Sequence, residues 1–105
     1  MGIHDEEIAW AAGLFEGEGT ITQSSGIVNL RVTSTDGDGL DRFAEVVGAG
    51  KVYGPYVYAK PDGSRRKPFY VWVCQGPAIE QVFRSLVIWL SPRRLRQAQD
   101  HGLSP

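Results

Sequence analysis

From Ile8 to Phe15 the chain carries no polar side chain, and the run ends in two carboxylates between glycines, Glu16-Gly17-Glu18-Gly19. No other stretch restricts the fold so strongly. At helical spacing Ile8, Ala12 and Phe15 share one side, and Trp10, Ala11 and Leu14 lie across another. Ala9, Gly13 and Gly17 recur every four residues as a third, smooth stripe. A helix apolar all round is expected to be buried on every side, and the smooth stripe admits close approach by a second backbone. Asp5 can cap the start, with Glu6 and Glu7 in the first turn, which places the helix at roughly 5–17. Its end is unusual. The macrodipole disfavours carboxylates there by a few tenths to about 1 kcal/mol, so Glu16 and Glu18 point to a use other than stability. The plainer alternative is a pair of solvated acids at a helix end.

The elements that follow alternate in type. Thr20 to Ser24 reads as a strand, Ser25-Gly26 as a turn, and Ile27 to Thr35 as a second strand with Val28, Leu30 and Val32 inward. On the other face lie Thr20, Thr22, Ser24, Asn29, Arg31 and Thr33, short polar groups with one guanidinium, suited to base edges and phosphates. Asp36-Gly37-Asp38 caps a helix at 38–47 carrying Leu40, Phe43, Ala44 and Val47. Lys51 to Tyr58 is a third strand, expected at a sheet edge because Gly54-Pro55 interrupts it. A turn at Pro61-Asp62-Gly63-Ser64, expected to be flexible, is ringed by Lys60, Arg65, Arg66 and Lys67, beside Tyr70. Phe69 to Gln75 is the fourth strand. A helix from Pro77 to about Leu90 is followed by another after Ser91-Pro92, with Arg93 and Arg94 in its first turn and a frayed tail from His101.

The net charge of −1 hides a division. Residues 1–45 hold nine acids and two bases, and residues 46–105 hold nine bases and three acids. Such asymmetry favours a nucleic-acid partner. The single Cys74 excludes a disulfide framework and a cysteine zinc site. No apolar run approaches the ~18 residues of a membrane span. The start, His4-Asp5-Glu6-Glu7, is no signal-peptide pattern. One domain over 1–105 is expected in a reducing compartment, the cytoplasm (with the nucleoid) or another that holds the nucleic-acid partner.

Ala11-Ala12-Gly13-Leu14-Phe15-Glu16-Gly17-Glu18-Gly19 resembles the nine-residue signature of the LAGLIDADG homing endonucleases. Ala12, Gly13, Leu14 and Gly19 match it outright, and Glu16 and Glu18 stand where the signature has aspartates. The element order also resembles that family's. The resemblance implies an α+β, αββαββα fold with a curved four-stranded antiparallel sheet and helices on one face. It implies a homodimer through the first helix, with Ala9, Ala12, Gly13, Glu16 and Gly17 at the interface. Glu18 would then meet its counterpart at the dimer axis and hold Mg²⁺ or Mn²⁺. Ser34 corresponds to the group that orders the attacking water, a weaker group than the usual glutamine. Arg94, or Arg93, corresponds to the basic group of the last helix, and Glu16 takes a structural or capping role. The implied activity is hydrolysis of phosphodiester bonds in a long, near-palindromic double-stranded DNA. Its contacts would be Thr20, Thr22, Ser24, Asn29, Arg31, Thr33, Lys60, Arg65, Arg66, Lys67, Tyr70 and Arg93. The alternatives are a non-cleaving DNA- or RNA-binding protein on the same fold, such as a maturase or regulator, and a structural dimer with incidental acids.

Overall fold

A computed structural model describes residues 3–64 and 67–103. Helix α1 spans Ile3–Glu18 and passes without a loop into strand β1, Gly19–Ser24. Strand β2 (Ile27–Ser34), helix α2 (Gly37–Val47), strands β3 (Lys51–Tyr56) and β4 (Phe69–Gln75), helix α3 (Ala78–Leu86) and helix α4 (Pro92–Asp100) follow. The strands form one antiparallel sheet in the order β1-β2-β4-β3. The interrupted strand β3 lies at an edge, and its register shifts between Tyr53 and Tyr56, as the glycine-proline pair foretold.

Alternation along the strands divides the sheet into two faces. Ile21, Leu30, Val32, Trp72 and Cys74 are buried on one face, in a core shared with Phe15, Leu40, Phe43, Ile79, Val82 and Phe83 from the helices. Trp72 is its centre. Its indole N–H donates to the Ala49 carbonyl at 3.0 Å, and its ring meets Phe43 edge-on at 4.8 Å. Burying an aromatic side chain of this kind contributes about 1.5–3 kcal/mol. Cys74 lies in the same layer, where burial pushes its thiol pKa up.

The helix ends follow from local chemistry. Asp36 accepts from the Gly39 N–H at 2.9 Å and starts α2. Gly48 ends it with φ of 74°, a conformation that costs glycine little. At Gly19 a side chain would collide with the Phe15 ring, so only glycine permits the direct passage from α1 into β1.

Two expectations are corrected here. The helix after Pro77 does not reach Leu90. It stops at Leu86, a 3-10 turn covers Val87–Trp89, and Leu90 and Ser91 are extended. Pro92 disfavours helix in the residue before it, and the β-branched pair Val87-Ile88 adds little propensity to continue. The tail after α4 is closed rather than frayed. Leu103 N–H bonds the Ala98 carbonyl, Gly102 N–H bonds the Gln99 carbonyl, and Leu103 is buried.

Candidate nucleic-acid interface

The sheet face away from the core is built in rows across the strands. One row is Thr20, Arg31, Val73 and Lys51, the next is Thr22, Asn29 and Gln75, and a third is Thr33, Val71 and Tyr53. None of the four strands contains an aspartate or glutamate. The carboxylates of the acidic half sit in the helices, Asp36, Asp38, Asp41 and Glu45 in α2 and its cap and the other five in α1. Arg31 and Lys51 are exposed. The face is thus polar with positive charge, and it lacks groups that would repel phosphate.

Thr20, Thr22, Asn29, Arg31 and Thr33 lie together on it. Ser24 pairs with Ile27 at the hairpin end, and its side chain lies outside the described residues, as do Arg65 and Arg66. Lys60 and Lys67 are exposed on the β3–β4 connection. Its tip is a bonded turn: Lys60 N–H donates to the Ser64 carbonyl at 2.7 Å, and Asp62 accepts from the Ser64 N–H and hydroxyl. Those Ser64 bonds hold the Asp62 carboxyl below its usual pKa. Tyr70 belongs to the other face. It alternates with Val71, packs beside the core, and its ring lies where a side chain on Gly37 would stand. Its place among the DNA contacts is therefore corrected by strand phase.

The carboxylate pair at the end of α1 separates into two environments. Glu16 accepts from the Ser91 backbone N–H at 2.6 Å and the Ser91 hydroxyl at 3.1 Å, and Arg93 and Arg94 lie 3.4 and 3.6 Å away. It therefore braces the start of α4, 75 residues downstream. Partial burial would raise its pKa, but the Ser91 bonds and the Arg94 and Arg93 charges outweigh that and hold the carboxyl below its ordinary value. Arg94 returns the contact. It is buried, and its Nε and Nη2 donate to the Glu16 carbonyl oxygen at 3.3 and 3.0 Å, at the negative end of α1. Its Nη1 donates to Gln97, and its guanidinium lies over the Phe15 ring. Glu18, two residues on, is exposed and has no hydrogen-bond partner among the described residues.

Two residues expected to be catalytic are engaged within the fold. Arg94 is a buried clamp with its guanidinium committed to α1, and Arg93 is the exposed member of the pair. Ser34 is half-buried, and its hydroxyl accepts from the Asp36 N–H at 3.0 Å, which shapes the turn into α2. Among the described residues there is no group of three histidine, cysteine or acidic side chains able to hold a metal within one chain.

No family model matches the sequence, and no curated protein does. Solved structures do match. The homing endonuclease I-CvuI, in complex with its target in the presence of calcium, superposes with a TM-score of 0.64 at 20% identity, over 91% of this chain and 62% of that one. I-CvuI with the I-CreI target, in 2 mM magnesium with the DNA not cleaved, gives 0.59 at 20% identity, over 93% and 64%. An archaeal intron-encoded homing endonuclease, I-Vdi141I, complexed with DNA, gives 0.66 at 15% identity, over 93% and 68%. The chain has the homing-endonuclease fold. It spans less than two thirds of the length of I-CvuI.

In this homing-endonuclease fold the first helix is not buried all round. Ala9 is half-buried, Gly13 and Gly17 are exposed, and a side chain at either glycine would meet nothing within 4 Å. The smooth stripe is open to a partner. Ala12 is not part of it, being fully buried in the chain's own core, and Glu16 is engaged with α4. Both are removed from the expected dimer surface. Ile88 and Trp89, 79% and 45% exposed on the 3-10 turn that packs against α1, were missed in the sequence because an unbroken helix was expected there. Lys51, Tyr53, Val73 and Gln75 on the sheet face were missed too, although period-two alternation joined to strand pairing identifies them. No helix among the described residues is long and apolar enough to cross a membrane.

Proposed function

We propose that the chain is a DNA endonuclease acting as a two-fold dimer on a long, near-palindromic duplex, with Glu18 as the acid that holds a divalent cation. The observation that carries the reading is a sheet face free of carboxylates, bearing Arg31 and Lys51, with Glu18 exposed at the junction of α1 and β1. The solved relatives of this fold being complexes with DNA supports it. The open stripe of Ala9, Gly13 and Gly17 suits pairing with a second copy about a two-fold axis, which sets two half-sites in mirrored order.

The donor set fits a hard cation only in such a dimer. At the junction of α1 and β1 one protomer supplies a single carboxylate without a partner among the described residues, and two copies would supply two. Mg²⁺ takes one or two carboxylates and completes its shell with phosphate oxygens and water. Bound there, the ion would supply Lewis-acid polarisation of the scissile phosphate. The chain's own groups do the rest. Arg31 and Lys51 neutralise backbone phosphates, while Thr20, Thr22 and Thr33 meet base edges. The reciprocal clasp of Glu16 and Arg94 holds the end of α1, and thereby Glu18, in a fixed position.

A second reading is favoured by a specific observation. Ser34 and Arg94, two of the three expected catalytic groups, are engaged in holding the fold. A non-cleaving duplex-binding protein would look the same. The two separate when the purified chain is incubated with duplex DNA from its own coding locus and with a randomised duplex library, with and without Mg²⁺ or Mn²⁺. Double-strand breaks at a near-palindromic site, only with the divalent ion, are expected. Retained duplex without a break under any condition would leave the binding protein.

A further inference from the structure

The central strand buries an amide on the face proposed to meet DNA. Asn29 is only 9% exposed and sits between Thr22 of β1 and Gln75 of β4. A buried amide is costly unless bonded, and this one is bonded at both ends. Its Nδ2 donates to the Ile27 carbonyl at 3.4 Å. A carbonyl oxygen only accepts, so that contact fixes which end of the Asn29 amide is the NH₂. Oδ1 must then turn toward β4, where Gln75 Nε2 donates to it. The orientation passes on to a second amide. Gln75 is exposed. One Nε2 hydrogen is committed to Asn29, which leaves one N–H and the Oε1 acceptor side by side.

We infer that Gln75 is a specificity-determining residue that reads adenine in the major groove, with Asn29 as its positioning residue. Adenine presents the N7 acceptor beside the N6 amino donor, the complement of one N–H and one oxygen. Guanine presents two acceptors, so its O6 would face Oε1. A free glutamine could turn its amide over and would lose rotamer freedom on binding. The bond from Asn29 removes both liberties before DNA arrives. The inference rests on the reading of this sheet face as the duplex-binding surface.

The test enriches bound duplexes from a randomised library with the purified full chain and sequences them. Wild type is expected to select A·T at one fixed position of each half-site. In Gln75→Ala the preference at that position falls about ten-fold or more, with the remaining positions as internal reference. Gln75→Glu moves it toward C·G, since a carboxylate only accepts and cytosine offers its amino group. Asn29→Leu weakens the same position although residue 75 is untouched. Because Gln75 is exposed, its variants fold and keep the test decisive even if Asn29→Leu does not. A Gln75→Ala profile identical to wild type overturns the inference and leaves duplex recognition standing. A wild-type chain that enriches no duplex overturns both.

Discussion

Glu16 and Glu18 are the same residue type, two positions apart at the end of one helix, yet their surroundings differ completely. Glu16 is enclosed by the Ser91 N–H and hydroxyl and faced by two arginines. Glu18 is exposed, without a partner among the described residues. The first turns an unfavourable site on its own helix into a favourable one on another, since a carboxylate beside the N-terminus of α4 is stabilised by that helix's dipole. Arg94 completes the exchange by putting its cation at the C-terminus of α1. No described residue offsets the cost of Glu18. An acid retained where the fold gains nothing, beside a face that suits phosphate, is the contrast from which the functional reading follows.

The sharpest way to break the contrast is on the Glu16 side. Arg94→Ala leaves the Glu16 carbonyl and carboxylate without their buried donor and is expected to lower stability by about 3 kcal/mol in urea unfolding. Glu16→Gln should cost about 1 kcal/mol at neutral pH and should also change the acid limb. The folded carboxyl has a lowered pKa, so its contribution is fully present above the unfolded value near 4.5 and is lost as pH falls through the lowered folded value. Thermal melts from pH 6 to 3 should therefore be shallower for Glu16→Gln than for wild type. Gly13→Leu enters open space in the protomer, so folding should be unchanged or improved by up to about 1 kcal/mol. In sedimentation the same variant should be a monomer at concentrations where wild type is a dimer. Glu18→Gln should change stability least, by less than about 0.5 kcal/mol. Equal stability losses at positions 16 and 18 would erase the distinction.

Much of the fold was legible from local pattern. Period-two alternation and turn residues located all four strands, and α2 followed from Asp36, its apolar spacing and Gly48. The failures in α1 and at Arg94 share a cause, in that each required knowing what lies across the fold. The clasp between Glu16 and Ser91 joins residues 75 apart, so neither the engaged state of Glu16 nor the commitment of Arg94 could be read from helix-end chemistry. Ile8 to Phe15 looked wholly apolar, but only packing decides which stripe stays open. Ser34 reads as a free hydroxyl in sequence, whereas its N–H partner belongs to the turn that follows. Tyr70 is different. Its phase with Trp72 and Cys74 was available, and alternation alone would have placed it on the core face.

Cleavage of a selected duplex by wild type and by Glu18→Gln, measured side by side in Mg²⁺, tests the central claim most directly. The variant is expected to keep its fold and bind the duplex while cleavage falls by about a hundred-fold or more. A Glu18→Gln protein that cuts as fast as wild type would contradict that claim.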